Sequence, residues 1–259
     1  MGRSNLTACS FLVFYYTIPT SSTLGAIMQT LAFTNTTHTK ESAVALATWH
    51  FEQDNYLRQT YGKSTPEGWK ACSVGCMSKG ENHKDYPMLF GIDTRIAYLS
   101  DRFFENLEDY KTWTVRLFSS IKEGSDTTNA YHRFMHWMLM DSEHGVVRIN
   151  DTKEIRTVGK LFERAAAGDV PTVTEWREAA YAANNAAYAA AYAANNAAYA
   201  AANNAAYAAA DAAADAANAA ANAAANAAAY AADAAAYATN KEHYKIMADK
   251  LCYFLSGGI

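Results

Sequence analysis

The sequence predicts an all-α protein: a compact helical domain followed by a long alanine-rich helix or helical hairpin. Three observations carry this. Apolar residues recur at helical spacing through most of 41–168, and strand-like alternation is nowhere sustained. From Thr172 to Ser256 there is neither Gly nor Pro. Within that stretch about two-thirds of residues 179–240 are alanine, the best helix former because it loses no side-chain entropy on ordering.

The first helical pattern spans 41–61, with Ala43, Ala45, Leu46, Trp49, Phe51 and Tyr56 directed inward and Glu52, Asp54 and Arg58 on another face. Residues 62–91, rich in Gly, Ser and Lys and interrupted by Pro66 and Pro87, read as irregular. A helix over 92–107 follows from Ile96, Leu99, Phe103 and Leu107, with Asp93 or Thr94 as its cap. Trp113, Val115, Leu117, Phe118 and Ile121 mark another, closed by Gly124. Residues 127–140 make a third, with Tyr131, Phe134, Met135 and Met138 facing inward, and 151–167 a fourth, ended by Gly168 and Pro171. Residues 145–149 are at most one short strand. The helical domain therefore covers 28–170 and the alanine-rich segment 171–259.

That segment opens on Thr172 and Glu175, the S/T-x-x-E spacing in which hydroxyl and carboxylate each satisfy a free N–H at a helix start. Gly257 and Gly258 end it. The eleven residues 181–191 recur unchanged at 192–202, a truncated copy starts at Asn203, and larger residues then follow every three or four positions. An eleven-residue period holds one stripe on one side of a nearly straight helix. Tyr181, Tyr188, Tyr192, Tyr199, Tyr207, Tyr230 and Tyr237 mark the stripe, with Asn and Asp between them. One unbroken helix would span about 120 Å. Each methyl buries little area, so a bare rod gains little from packing. It is expected to fold back at the Asn pairs, lie along the first domain, or meet a second copy. Tyr244, Met247, Leu251 and Phe254 end it as an ordinary amphipathic helix. The plainer reading is drift in a repeat-prone gene, with length under little constraint.

Net charge is −4, and between Arg177 and Lys241 there is no Lys or Arg while Asp211, Asp215 and Asp233 intervene. Such a segment cannot neutralise phosphates, so nucleic-acid binding through it and an anionic membrane surface are disfavoured. The four cysteines (Cys9, Cys72, Cys76 and Cys252) form no disulfide framework, which points to a reducing, cytoplasmic setting. Residues 11–18 are an apolar run too short to span a membrane. Residues 1–27 read as a non-native or disordered leader before a native start at Met28, with a poor signal peptide or a genuine N-terminal element as alternatives.

The best candidate site is Cys72 and Cys76, two thiols four residues apart, with His83 or His50 to complete a zinc tetrahedron. Against it, small residues around the pair suit a tight packed turn with buried thiols. Metal, redox and nucleophilic roles are the sharper readings and packing the blander one. No cofactor is required, zinc being the candidate if one binds. His132 and His136 share a helical face but lack the glutamate of H-E-x-x-H, and read as solvent-facing. Asp101, Glu105, Glu108 and Asp109 with Arg102 read as a solvated helix face rather than an acid/base cluster. No catalytic set is assembled.

With these residues laid out, the chain resembles a family of bacterial and bacteriophage proteins of no established activity. Its members carry a Gly/Ala-Cys-x-Val-Gly-Cys motif, then a histidine, two apolar helical motifs and an alanine-rich helical tail. The matching positions are Cys72, Val74, Gly75, Cys76 and His83, then Phe90 to Ile92, Ile96, Ala97, Leu99, Asp101, Phe104, Glu105 and Leu107, then Trp113, Phe118, Ile121 and Gly124. The likeness covers roughly 45–256. Asp93 stands where the family has proline, and this tail uses Asn and Tyr where relatives use Asp, Glu or Arg. The resemblance implies a phage or mobile-element context and a domain plan, but no reaction. The expected function is a non-enzymatic intracellular binding protein that meets a protein partner or itself through the alanine-rich helix. The alternative is a metal- or small-ligand-binding protein or enzyme centred on Cys72, Cys76 and His83. An ice-binding rod is disfavoured, because the stripe lacks regularly spaced Thr.

Overall fold

The computed structural model describes residues 30–80, 82–148, 151–179 and 241–258, with 181, 182, 185, 196 and 200. The leader 1–27, the Met28 start and all stripe tyrosines after Tyr181 lie outside the described residues.

The protein is mostly helical. Helix α1 (Lys40–Glu52) starts where the Thr39 hydroxyl accepts from Ser42 N, and it buries Ala43, Ala47 and His50. Trp49 and Phe51 instead point outward, 52% and 41% exposed. The inward row is 43/47/50, at helical spacing, and it includes a histidine that a count of large apolar residues passes over. Past the helix, Tyr56 is buried and its hydroxyl donates to Ala47 O at 3.1 Å.

The stretch from 62 to 91 is ordered in small pieces. Strands β1 (Lys63–Thr65) and β2 (Gly68–Lys70) form an antiparallel hairpin across Pro66-Glu67. Helix α2 (Ser73–Ser78), a 3₁₀ turn (His83–Asp85) and helix α3 (Tyr86–Phe90) follow, α3 with proline in its first turn and Gly91 in the left-handed conformation behind it. A Cβ on Gly91 would lie 2.1 Å from Leu31 O, so glycine is required there by both conformation and space. This close approach lets residues 30–38 run across the domain, with Phe33 N and His38 N donating to Phe90 O and Leu89 O.

The large helices are α4 (Thr94–Asn106), α5 (Tyr110–Ser120), α6 (Thr127–Met140) and α7 (Lys153–Ala166). Side chains cap three of them: Asp93 accepts from Arg95 N, Asp126 from Asn129 N and Thr152 from Ile155 N. Asp93 earns its position where proline was expected. Its carboxylate also accepts from the Arg95 guanidinium and, at 3.0 Å, from the Thr128 hydroxyl, tying α4 to α6. Residues Val146–Arg148 form a 3₁₀ turn, not a strand. Trp113, Phe103, Phe118, Phe90 and Phe134 are fully buried at the centre, each contributing roughly 1.5–3 kcal/mol of apolar transfer. Phe103 meets the Trp113 ring edge-on at 5.5 Å, and the indole N–H donates to Ser100 O at 2.9 Å.

The Thr172–Glu175 box forms as spaced: Glu175 N donates to the Thr172 hydroxyl, and Thr172 N donates to the Glu175 carboxylate. Glu175 also pairs with Arg164 at 2.7 Å, and Trp176 packs on Phe162. Beyond the alanine tract, residues 241–255 are helical and bury Tyr244, Met247, Ala248, Leu251 and Leu255 in the same core. Lys122 N donates to Leu255 O, and Arg116 pairs with Asp249 at 2.8 Å. The described residues on both sides of the tract therefore rest on one core.

Candidate functional site: a polar cleft beside helix α4

Four candidate residues divide into two places. Cys76 lies inside α2, and its thiol donates to Ala71 O at 3.5 Å. Burial pushes it up to about 12, so it remains a neutral thiol. His50 lies close by, held by Asn55 Nδ2 at 3.2 Å and lowered in pKa by burial. Both are buried, and His50 Nε2 has no hydrogen-bond partner.

Cys72 faces the other way, into an open cleft of about 630 Å³ between the loop 59–61 and the outer row of α4. The cleft is bordered by Tyr61, Tyr98, Asp101, Arg102 and Glu105. Burial, reinforced by the Asp101 charge, pushes the Cys72 thiol well above its ordinary value. A neutral thiol is a poor nucleophile and a poor metal ligand. Among the described residues no three His, Cys, Asp or Glu side chains group as a metal site.

Asp101 is the residue the helix-face reading misplaces. Its side chain is only 15% exposed, and the His83 Nε2 lies 3.4 Å from its Oδ2. That distance allows attraction, but the pair lacks hydrogen-bond alignment. His83 itself is 4% exposed, stacked on Tyr98 at 4.0 Å and 11°, with the Tyr61 ring edge-on at 5.8 Å. Beneath them Tyr86 is fully buried, and desolvation, then the nearby Cys72 and Asp101, push its phenol well up. Three buried polar atoms here have no hydrogen-bond partner: His83 Nε2, Asp101 Oδ1 and the Tyr86 hydroxyl. Each such group costs about 1–3 kcal/mol if left dry and unpaired.

Glu105, one turn along from Asp101, accepts from Gln59 N at 2.9 Å, which fixes the loop to the helix. Burial and then the Asp101 charge raise its pKa. Arg58 anchors the same loop, donating to Phe104 O and Leu107 O and lying over Tyr110. Glu108 and Asp109 are exposed, as read from the sequence.

His132 is buried, not solvent-facing. Arg95 Nη1 lies 3.2 Å from its Nε2, and His136 Nδ1 lies 3.0 Å from Gly159 O. Both histidines bind helices together.

No protein-family model, no curated protein and no solved structure matches the chain. No helix among the described residues is long and apolar enough to cross a membrane.

Proposed function

We propose that this is a non-enzymatic binding protein whose ligand is a small polar molecule held in the cleft that Cys72 and Asp101 line. One observation carries this reading: Asp101 lines the cleft with Cys72, and its Oδ1, like the Nε2 of the neighbouring His83, is buried without a hydrogen-bond partner. A guest that pairs with such atoms offsets their desolvation cost. The protonated thiol of Cys72 argues for binding over covalent chemistry. The free thiols Cys72, Cys76 and Cys252 support a reducing, cytoplasmic setting, and the sequence resemblance supports a phage or mobile-element context.

Native mass spectrometry of the full chain, desalted gently, tests this. The expected result is a retained adduct that Asp101→Asn loses while keeping a native charge-state distribution. An unadducted mass, together with a crystal structure holding only ordered water against Asp101, overturns it.

A second reading assigns protein–protein contact or self-association to the alanine tract. Tyr181, at its start, is 63% exposed, while Ala179 is buried in the core. Deleting 180–240 then changes oligomeric state or partner binding, and an unaltered assembly with an unaltered partner list removes the reading.

A further inference from the structure

We infer that residues 59–61 are a latched lid over the Cys72 thiol, and that the Glu105 carboxylate is the latch. The lid spans two fixed points. On one side Arg58 donates to Phe104 O at 3.2 Å and to Leu107 O, with its guanidinium 4.0 Å above the Tyr110 ring. On the other, Gly62 lies against Trp69, whose ring a Cβ on that glycine would meet at 1.9 Å. Between these points the backbone presses on the start of α2. Cys72 N donates to Thr60 O at 2.7 Å, and a Cβ on Gly75 would lie 1.9 Å from Tyr61 O. Beneath this cover Cys72 is only 1% exposed.

Three features make the cover able to open. None of residues 59–61 is itself buried, so little apolar transfer energy holds the span shut. Gln59 has a φ of 61°, a left-handed conformation that a residue with a Cβ adopts at a cost, and opening relieves it. What holds Gln59 closed is polar: its N–H donates to both Glu105 oxygens, at 2.9 and 3.2 Å. A hydrogen bond to a charged acceptor is among the stronger kind. A strained, unburied span closed by polar contacts is the sort of segment that opens locally while the core stays folded. The lid borders the cleft of the binding reading, but it requires no guest.

Iodoacetamide labelling of the full chain at pH 8, followed separately at Cys72 and Cys76 by peptide mass spectrometry, tests the latch. Cys76 lies inside α2 with its thiol on Ala71 O, and reports opening of the core. Glu105→Ala should speed Cys72 labelling about tenfold, through loss of one hydrogen bond to a charged group, and leave Cys76 unchanged. Glu105→Asp keeps the charge but loses the reach, and should also speed Cys72 alone. An equal rise at both cysteines overturns the lid, because the whole core is then opening. A rise with Ala that Asp does not reproduce assigns the effect to charge beside the thiol and overturns the latch. Unchanged labelling in both variants overturns it too. The adduct experiment on the cleft is independent of all these results.

Discussion

Arg95 donates through Nη1 to the Nε2 of His132 across 3.2 Å, so the imidazole must keep that lone pair and stay neutral. Burial, and then the Arg95 charge, lower its pKa from 6.5 to about 4. A depressed pKa means the unfolded chain takes up this proton more readily than the folded one. The stabilising contribution is whole above pH 6.5 and disappears as pH falls through 4, amounting to about 3 kcal/mol. His50 and His243 are shifted in the same direction by burial. Urea unfolding between pH 7 and 4 is expected to show a steep loss of stability that His132→Gln makes shallower. A pH slope unchanged by that substitution would contradict the assignment.

The buried thiols make a kinetic prediction. Cys72 and Cys76 both have raised pKa values, chiefly through burial. At pH 8 their alkylation by iodoacetamide, followed site by site by peptide mass spectrometry, should be at least a hundredfold slower in the native chain than in urea. Fast native labelling of Cys72 would restore a reactive role to it.

Leu251, fully buried on the last helix, probes whether residues 241–255 belong to the core energetically as well as geometrically. Leu251→Ala is expected to cost about 2–5 kcal/mol in a single unfolding transition. Separate transitions, or a loss below 1 kcal/mol, would show a loosely held helix.

Thr172→Ala removes one half of the box at 172–175, where the hydroxyl accepts from Glu175 N at 3.2 Å. The expected loss is about 1 kcal/mol, which differential scanning calorimetry should register as a drop in Tm of about 2–4 °C. No measurable drop would mean that the Arg164 pairing alone starts this helix.

Where the sequence was legible, one long period dominated. Residues 127–140 gave a helix with those bounds, because its apolar row and its Asp126 cap are both local signals. The hairpin at 63–70 was invisible, since strands of three residues carry no readable alternation. Asp101 was misplaced for a different reason. Two acids at i and i+4 look alike on a wet face and a covered one, and only the covering loop 59–61 decides. A signal did exist: Asp101 falls on the row of Ala97 and Phe104, both fully buried. His132 likewise shares a row with buried Thr128 and Leu139. Polar residues in apolar rows were the readable mark of both networks, whereas the meeting of His83 with Asp101 depends on tertiary packing.

Ala179 and Tyr244 are both anchored in one core, and 61 residues separate 179 from 241. Tyr244, Met247, Leu251 and Leu255 thus reach the core from the far end of the sequence, after the whole tract has been synthesised. A chain stopped before residue 241 leaves the apolar surface they cover open to water, so truncated products should aggregate where the full chain does not.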